Sequence, residues 1–415
     1  MRVLVVGGGI GGLACAQGLL RRGLDVTVVE QDSDLALTGG YKLHLGVPVV
    51  TALRDLLSPS SFETLLGSSV ATRGFTLAVR DARGCKLVGA SEPTPGLSLD
   101  VDRIALRLIL ALRLEERMLL GRRCCDWRVE GETVVALLDD GLEIEADLLV
   151  IADGAGSKLA EKLAGRPTSS FCGIIGVAGR TPWERLPQAT KSLLRDEPML
   201  AIGPGGTGVF ASAHDPAGHA AVRTLRTVGA PPSPVAIWGL IAVEGALAYD
   251  RVAADESAVV DAAVALLRRH HWAEEIVELL TRSQRGSVSA FRFNAADPDD
   301  LAPWRSSRIT ALGDAVHAMP PTGGQGAATA IMDAHHLAER IHAAARGEVT
   351  PVVAVLDYET DLRTRAAPAV RESLQPVAWI RAGGGRGGNL MYRAAVPALA
   401  AGAAVLRSVA RRRRR

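Results

Sequence analysis

The segment from Arg2 to Glu30 constrains this chain more than any other. Arg2 to Val6 is a short β-branched apolar run that enters Gly7-Gly8-Gly9-Ile10-Gly11-Gly12. A helical pattern then runs from Gly12 to Arg22 and stops at Gly23. A second apolar run, Val26 to Val29, ends at Glu30, so the order is strand, tight turn, helix, strand, a βαβ unit. Gly7, Gly9 and Gly12 satisfy Gly-x-Gly-x-x-Gly in the strand-to-helix context where that spacing has meaning. The first glycine permits the turn, the second lets backbone approach a pyrophosphate, and the third lets helix and sheet pack closely. Free N–H groups at the helix start favour the anion. Glu30, at the end of the second strand, is placed to accept hydrogen bonds from ribose hydroxyls and disfavours a 2′-phosphate. The unit therefore predicts a dinucleotide site without choosing between FAD and NAD.

At 415 residues the chain has room for two or three domains, and 48% hydrophobic with 22% charged residues excludes a disordered or fibrous chain. The expectation is a folded, soluble protein. Net charge is +2, yet Arg411 to Arg415 are all arginine, so the rest is slightly acidic and has no bulk attraction to nucleic acid. Five scattered cysteines give neither a disulfide framework nor a zinc spacing, which points to a cytoplasmic location and no metal. The apolar start lacks a small-x-small cleavage site and is read as a strand and helix, not a secretory leader. The stretch Ala394 to Ala410 is apolar but short for a bilayer and contains Arg407. With the arginines it reads as a solvated tail, binding to an anionic membrane surface being the alternative.

Further along, a helix is read over Asp102 to Leu114 after a Pro/Gly-rich segment at Glu92 to Gly96. Thr133 to Leu137 and Leu142 to Glu145 flank Asp139-Asp140-Gly141 as a hairpin. A buried strand, Asp147 to Ile151, runs into Asp153-Gly154. From Pro167 to Ser289 short alternating runs broken by Pro and Gly predict a separate sheet-containing lobe, with one helix near Glu256 to Thr281. Ile309 to Leu312 return to the buried-strand pattern, followed by a Pro/Gly loop and a helix from about Gly326 to Ala345.

The segment Arg308-Ile309-Thr310-Ala311-Leu312-Gly313-Asp314-Ala315-Val316-His317-Ala318-Met319-Pro320-Pro321-Thr322-Gly323-Gly324-Gln325-Gly326 resembles the Gly-Asp motif of class A FAD-dependent monooxygenases, the aromatic hydroxylases of the p-hydroxybenzoate hydroxylase fold. Asp147 to Ser157 resembles their Asp-Gly motif, centred on Asp153, and Arg103 resembles their FAD-contacting arginine. The resemblance covers most of the chain to about residue 365. It implies that Asp314 bonds the ribityl chain, and that Pro321, Gly324 and Gly326 lie along the flavin. It implies that Asp153 touches FAD and that Arg103 offers its planar fork to the diphosphate. Tyr41 to Leu45 fall in the loop that runs beside the flavin in relatives. Arg107, one turn after Arg103, is the weaker candidate for that contact and is read first as a plain surface arginine. Two departures stand out: Ala160 replaces a usual arginine after the Asp-Gly motif, and Ala328 replaces a usual asparagine.

The fold class implied is α/β: a Rossmann-like FAD-binding domain (GR2-type) with an inserted β-sheet substrate lobe and C-terminal helices. The divisions are 1–75, 98–166 and 290–350 for the discontinuous FAD-binding domain, 76–97 and 167–289 for the lobe, and 351–415 for the C-terminal helices with the polybasic tail. The implied activity uses bound FAD, transient NADPH or NADH, and O2. A flavin hydroperoxide would hydroxylate or epoxidise an electron-rich aromatic or polyketide-like small molecule of secondary metabolism. The alternative is an FAD-containing protein that catalyses a non-redox step such as a cyclisation. No side-chain nucleophile is implied, and the assembly is a monomer or homodimer. His317 is read as a packing or phosphate-proximal residue, and the pairs His270-His271 and His335-His336 as solvated or capping. Trp183, Trp238, Phe210, Phe291 and Phe293 are candidates for the substrate pocket or, equally, for the core.

Overall fold

The computed structural model describes residues 1–36, 42–195, 197–215, 233–247 and 255–384. Tyr41, the apolar stretch 394–410 and the arginine tail lie outside them.

One sheet holds five parallel strands in the order β16 (Ile309–Ala311), β10 (Leu148–Ile151), β1 (Arg2–Val6), β2 (Asp25–Glu30), β6 (Met118–Leu120). Its central strands read as continuous apolar runs because both faces are covered. Helices α1 (Ile10–Arg21) and α10 (Gly326–Ala345) pack on one another over this sheet. Gly11 and Gly18 permit that approach: a Cβ on Gly18 would lie 2.4 Å from Leu56 Cδ2 and 2.9 Å from Ala338 Cβ. An antiparallel meander, β7 (Cys124–Glu130), β8 (Thr133–Leu138) and β9 (Glu143–Ala146), contains the expected hairpin, turned at Gly141 with φ +86°. The register aligns Val6 with Ile151 and Ile151 with Ala311. Three motifs far apart in the chain thus leave neighbouring strands at the same sheet edge.

The second sheet has eight strands in the order β15 (Ser289–Ala295), β11 (Ser170–Pro182), β14 (Val235–Val243), β13 (Thr207–His214), β12 (Met199–Gly203), β4 (Val70–Asp81), β5 (Lys86–Asp102), β3 (Lys42–Leu45). Every pairing is antiparallel except β12 with β4. Side chains alternate across it. Val177, Val209, Ala211, Trp238 and Leu240 form one face, in a core with α7 (Glu256–Arg269) and α8 (Glu274–Thr281). Gly176, Arg180, Phe210, Ser212 and His214 point to the other.

Two local readings change. The single helix near Glu256 to Thr281 is two, because Trp272 turns into the core against Gly203 and His271 adopts φ +55°. The Pro/Gly segment 92–96 lies within β5, tolerated because Pro93 pairs with Gly74 beside a register shift.

Helix α4 (Arg103–Ala111) follows β5 directly, and Asp102 caps it, accepting from Ile104 N at 2.8 Å and Ala105 N at 3.0 Å. The long helix α11 (Pro351–Gly384) ties the two sheets together. Tyr358 donates to Ala311 O at 2.9 Å, Thr322 bonds Ser373 O, and a Cβ on Gly206 would lie 2.2 Å from Ile380 O. No helix among the described residues is long and apolar enough to cross a membrane.

Candidate functional site

The edge where β1, β10 and β16 end is the carboxyl edge of a parallel sheet, where open α/β folds place ligands. Gly7, with φ +111°, follows β1, and a Cβ there would sit 2.3 Å from Ala152 O. A Cβ on Gly12 would meet Gly7 O at 2.0 Å. Gly9 differs: its φ is −76° and a Cβ would meet nothing within 4 Å. The first and third glycines are therefore dictated by protein packing, and the second opens onto free space. Gly9 is the N-cap of α1, and neither a side-chain cap nor a first-turn acid occupies that terminus. The N-terminus of α10, at Gly326, is likewise free of a side-chain cap and of first-turn acids. These donors, with an open cradle at Gly9, fit a dinucleotide.

Glu30 is buried at the end of β2, and its carboxylate accepts from Gly8 N and, at 2.7 Å, from Asp32 N. Its remaining lone pairs can still accept from hydroxyls. Arg107 corrects the surface reading. It is buried, donating from Nε to Gly8 O at 2.8 Å and from Nη1 to Asp32 at 2.9 Å and Leu35 O at 3.1 Å, with Glu30 3.3 Å from Nη2. It clamps the glycine loop from behind. An arginine inside the apolar run Ile104 to Leu110 was the available signal, since an unpaired charge cannot be buried there.

Asp153 and Asp314 are both exposed yet enclosed by protein, so they line a concavity. The surrounding protein pushes the Asp153 carboxyl above its usual range, opposed by the Ser157 hydroxyl and reinforced by the Glu30 charge. It also raises Asp314, with His317 and Arg103 opposing and Asp333 adding. Half-buried Arg103, at the first turn of α4, is thus within electrostatic reach of Asp314. Gly326 lies beside Asp314, a Cβ there being 3.8 Å from its Oδ1. Pro321 and Gly324 are exposed on the same loop, Gly324 with φ +65°. The sequence candidates are therefore brought together along one edge.

Beneath this loop is a buried network that sequence reasoning missed. Asp333, on α10, accepts from Gly313 N at 3.1 Å, contacts His317 Nε2 at 2.5 Å and accepts from Arg365 at 3.0 Å. Burial would lower His317, but the Asp333 carboxylate outweighs it and holds the imidazole above its ordinary range. Burial would raise Asp333, but His317 and Arg365 hold it below its range. His317 is a packed structural residue, as read. Ala160 is also settled by packing: it is fully buried in the first turn of helix α5 (Lys158–Ala164), its N–H bonded to Ser157 Oγ at 3.0 Å.

The eight-stranded sheet adjoins this edge at Asp102 and Arg103. Asp102 pairs with Arg180 of β11 at 2.8 Å, while the Arg103 charge acts on Asp314. The aromatic candidates divide. Trp238 is buried in the core, its Nε1 donating to Thr181 at 3.1 Å, and Trp183 packs at the same core. Phe210 and the stacked pair Phe291–Phe293, 6.3 Å apart, are half-buried, and Phe293 fills the space over Gly176 on the opposite face.

Comparison with known proteins agrees with this geometry. Residues 1–285 match the family model described as pyridine nucleotide-disulphide oxidoreductase, and residues 262–373 match that described as FAD binding domain. A dual O-methyltransferase/FAD-dependent monooxygenase of Cercospora beticola is 27% identical over 391 residues, covering 88% of this chain and 44% of the relative. The chloroplastic zeaxanthin epoxidase of Oryza sativa subsp. japonica is 28% identical over 350 residues, covering 81% and 48%. The chain spans about half the length of the curated relatives it matches. Among solved structures, Klebsiella pneumoniae HpxO complexed with FAD and uric acid matches with a TM-score of 0.75 and 20% identity, covering 96% of this chain and 92% of that one. The 2,6-dihydroxypyridine-3-hydroxylase of Arthrobacter nicotinovorans matches with 0.73 and 18%, covering 92% and 93%. The glycine turn, the aligned strand ends and the matched models together place the chain among FAD-binding oxidoreductases, and within them it belongs to the class A FAD-dependent monooxygenase family.

Proposed function

We propose that the chain is a monooxygenase that uses NAD(P)H and O2 to hydroxylate or epoxidise an electron-rich aromatic or polyketide-like small molecule. The observation that carries this reading is the alignment of Val6, Ile151 and Ala311, which gathers Gly9, Asp153 and Asp314 at one edge beside a face bearing Phe210, Phe291 and Phe293. Bound FAD would accept hydride and activate oxygen, chemistry the side chains cannot supply. In this reading Gly7, Gly9, Gly12 and Glu30 hold the adenosine diphosphate portion. Arg103, Asp153, Asp314, Pro321, Gly324 and Gly326 orient the rest, and the aromatic face positions the substrate and excludes water.

The test is anaerobic. The purified flavoprotein is mixed with NADH or NADPH, with and without candidate phenols and polycyclic aromatics, and bleaching of the visible flavin band is followed. Bleaching accelerated by a substrate supports the reading. Flavin that stays oxidised under every condition sinks it and leaves a non-redox role.

A further inference from the structure

The last turns of helix α11 carry an aromatic side chain that the fold leaves uncovered. Trp379 is 75% exposed, and no other large apolar side chain among the described residues is more than 53% exposed. Its neighbours hold it in that position. Val377 is buried, and a Cβ on Gly206, between β12 and β13, would lie 2.2 Å from Ile380 O, so one side of the helix is pressed onto the eight-stranded sheet. Trp379 stands clear of that contact with Ala378 and Ala382, which are exposed as well. A covered tryptophan buries roughly 150–250 Å², so a bare one on a pinned helix is an apolar contact left for a partner surface.

A second observation comes from the sequence around and after it. From Ser373 to Arg415 there is no aspartate, glutamate or lysine, and there are nine arginines: Arg381, Arg386, Arg393, Arg407 and Arg411 to Arg415. The whole chain is only +2, so positive charge is gathered on this one segment. Among these arginines, the stretch from Ala394 to Ala410 has no polar side chain except Arg407 and Ser408. The nearby acids are already engaged. A Cβ on Gly384 would lie 2.7 Å from Val243 Cγ1, and Glu244, next to Val243, pairs with Arg292 at 3.0 Å. Glu372, two turns before Trp379, accepts from Gln325 at 2.6 Å.

We infer that Trp379 and the arginine-rich segment after it form a docking surface for an anionic lipid bilayer. Trp379, with Val396, Leu399, Val405 and Leu406, enters the boundary between headgroups and acyl chains, where an aromatic ring with one polar edge is at home. The arginines pair with lipid phosphates, which their planar forks fit. An apolar anchor or a basic cluster alone gives weak, reversible attachment, and the two together hold. Nucleic acid also attracts arginines, but it offers no apolar interior to the stretch from Ala394 to Ala410. The exposed Trp379 thus favours the lipid reading of this tail over the solvated one. The inference stands apart from the monooxygenase reading, because it uses none of the residues placed around the flavin.

The experiment uses the full flavin-bound chain. It is mixed with vesicles of phosphatidylcholine and phosphatidylglycerol, with vesicles of phosphatidylcholine alone, and with duplex DNA. Vesicle binding is read by co-sedimentation and tryptophan emission, and DNA binding by gel shift. The expected result is binding to the anionic vesicles that weakens as salt rises, with a blue shift of emission that Trp379→Phe removes. Trp379→Ser should weaken vesicle binding by about tenfold while keeping the native flavin content and thermal midpoint, because the side chain has little packing to lose. Arg411→Gln, Arg412→Gln, Arg413→Gln, Arg414→Gln and Arg415→Gln together should weaken it by about a hundredfold or more. No sedimentation with anionic vesicles, equal sedimentation with neutral ones, tighter binding to DNA than to vesicles, or vesicle binding that Trp379→Ser leaves unaltered overturns the inference. No turnover is read, so failure here leaves the flavin chemistry untouched, and a flavin that nicotinamide cannot reduce leaves this result readable.

Discussion

The carboxylate of Asp333 accepts the Gly313 N–H at 3.1 Å and so anchors, from the core side, the loop whose next residue is Asp314. Removing it leaves buried His317 and half-buried Arg365 without their counter-charge. Asp333→Ala should cost about 3–5 kcal/mol and lower flavin retention, read by urea denaturation and by the flavin-to-protein ratio.

The pair also sets a pH dependence. His317 is held above its ordinary range, so its contribution to stability is complete below about pH 6.5 and is lost as pH rises through the raised value. Asp333 is held below its range, so its contribution is present above about pH 4 and lost as pH falls through the lowered value. Urea midpoints measured upward from about pH 6 should decline in the native chain and decline less in His317→Gln; parallel curves would remove the assignment.

The three glycines of the first turn should separate by role. Gly7→Ala forces a strained φ of +111° and a clash with Ala152 O, so a loss of about 1–3 kcal/mol from strain alone is expected. Gly9→Ala has neither problem and should fold as the native chain does, with weaker FAD binding measured by fluorescence titration of the flavin-free protein. A Gly9→Ala variant with native affinity would contradict the placement of the ligand at the open glycine.

Arg107→Met should destabilise by about 3–5 kcal/mol, since Glu30 and Asp32 lose their counter-charge and Gly8 O its donor. Arg107→Lys should recover little of this, because one ammonium cannot reach partners that a planar fork serves together. Thermal denaturation of both variants decides it.

Trp238→Ala and Phe291→Ala test the two faces of the large sheet. The first should cost about 3–5 kcal/mol of stability. The second should leave the denaturation midpoint near that of the native chain and change which aromatics accelerate flavin bleaching.

The dinucleotide half of the fold was legible because its signals are local: a strand, a glycine turn and a helix adjoin in the chain, and Asp153 and Asp314 each follow a buried strand. The Arg107 clamp and the Asp333 network were not legible, because each joins residues whose meaning appears only when separate elements pack. Trp238 and Phe210 could not be told apart in sequence either, since which face of a strand is covered depends on α7 and α8 arriving from elsewhere. The missed break at Trp272 has the same cause, a side chain drawn inward by a core that periodicity alone does not reveal.

Helix α11 bonds the edge of the parallel sheet through Tyr358 and lies against the eight-stranded sheet at Gly206, so it acts as a strut between the two. Pro368 and Pro376 interrupt the strut between those fixed points. Neither proline can donate, so the carbonyls of Thr364 and Glu372 lose their helical partners, and the rod is weakest there. Any opening of the aromatic face away from the Asp314 loop must bend α11 at these two joints. The freedom of the two sheets to part there is thus set by a helix far along the chain from the glycine turn.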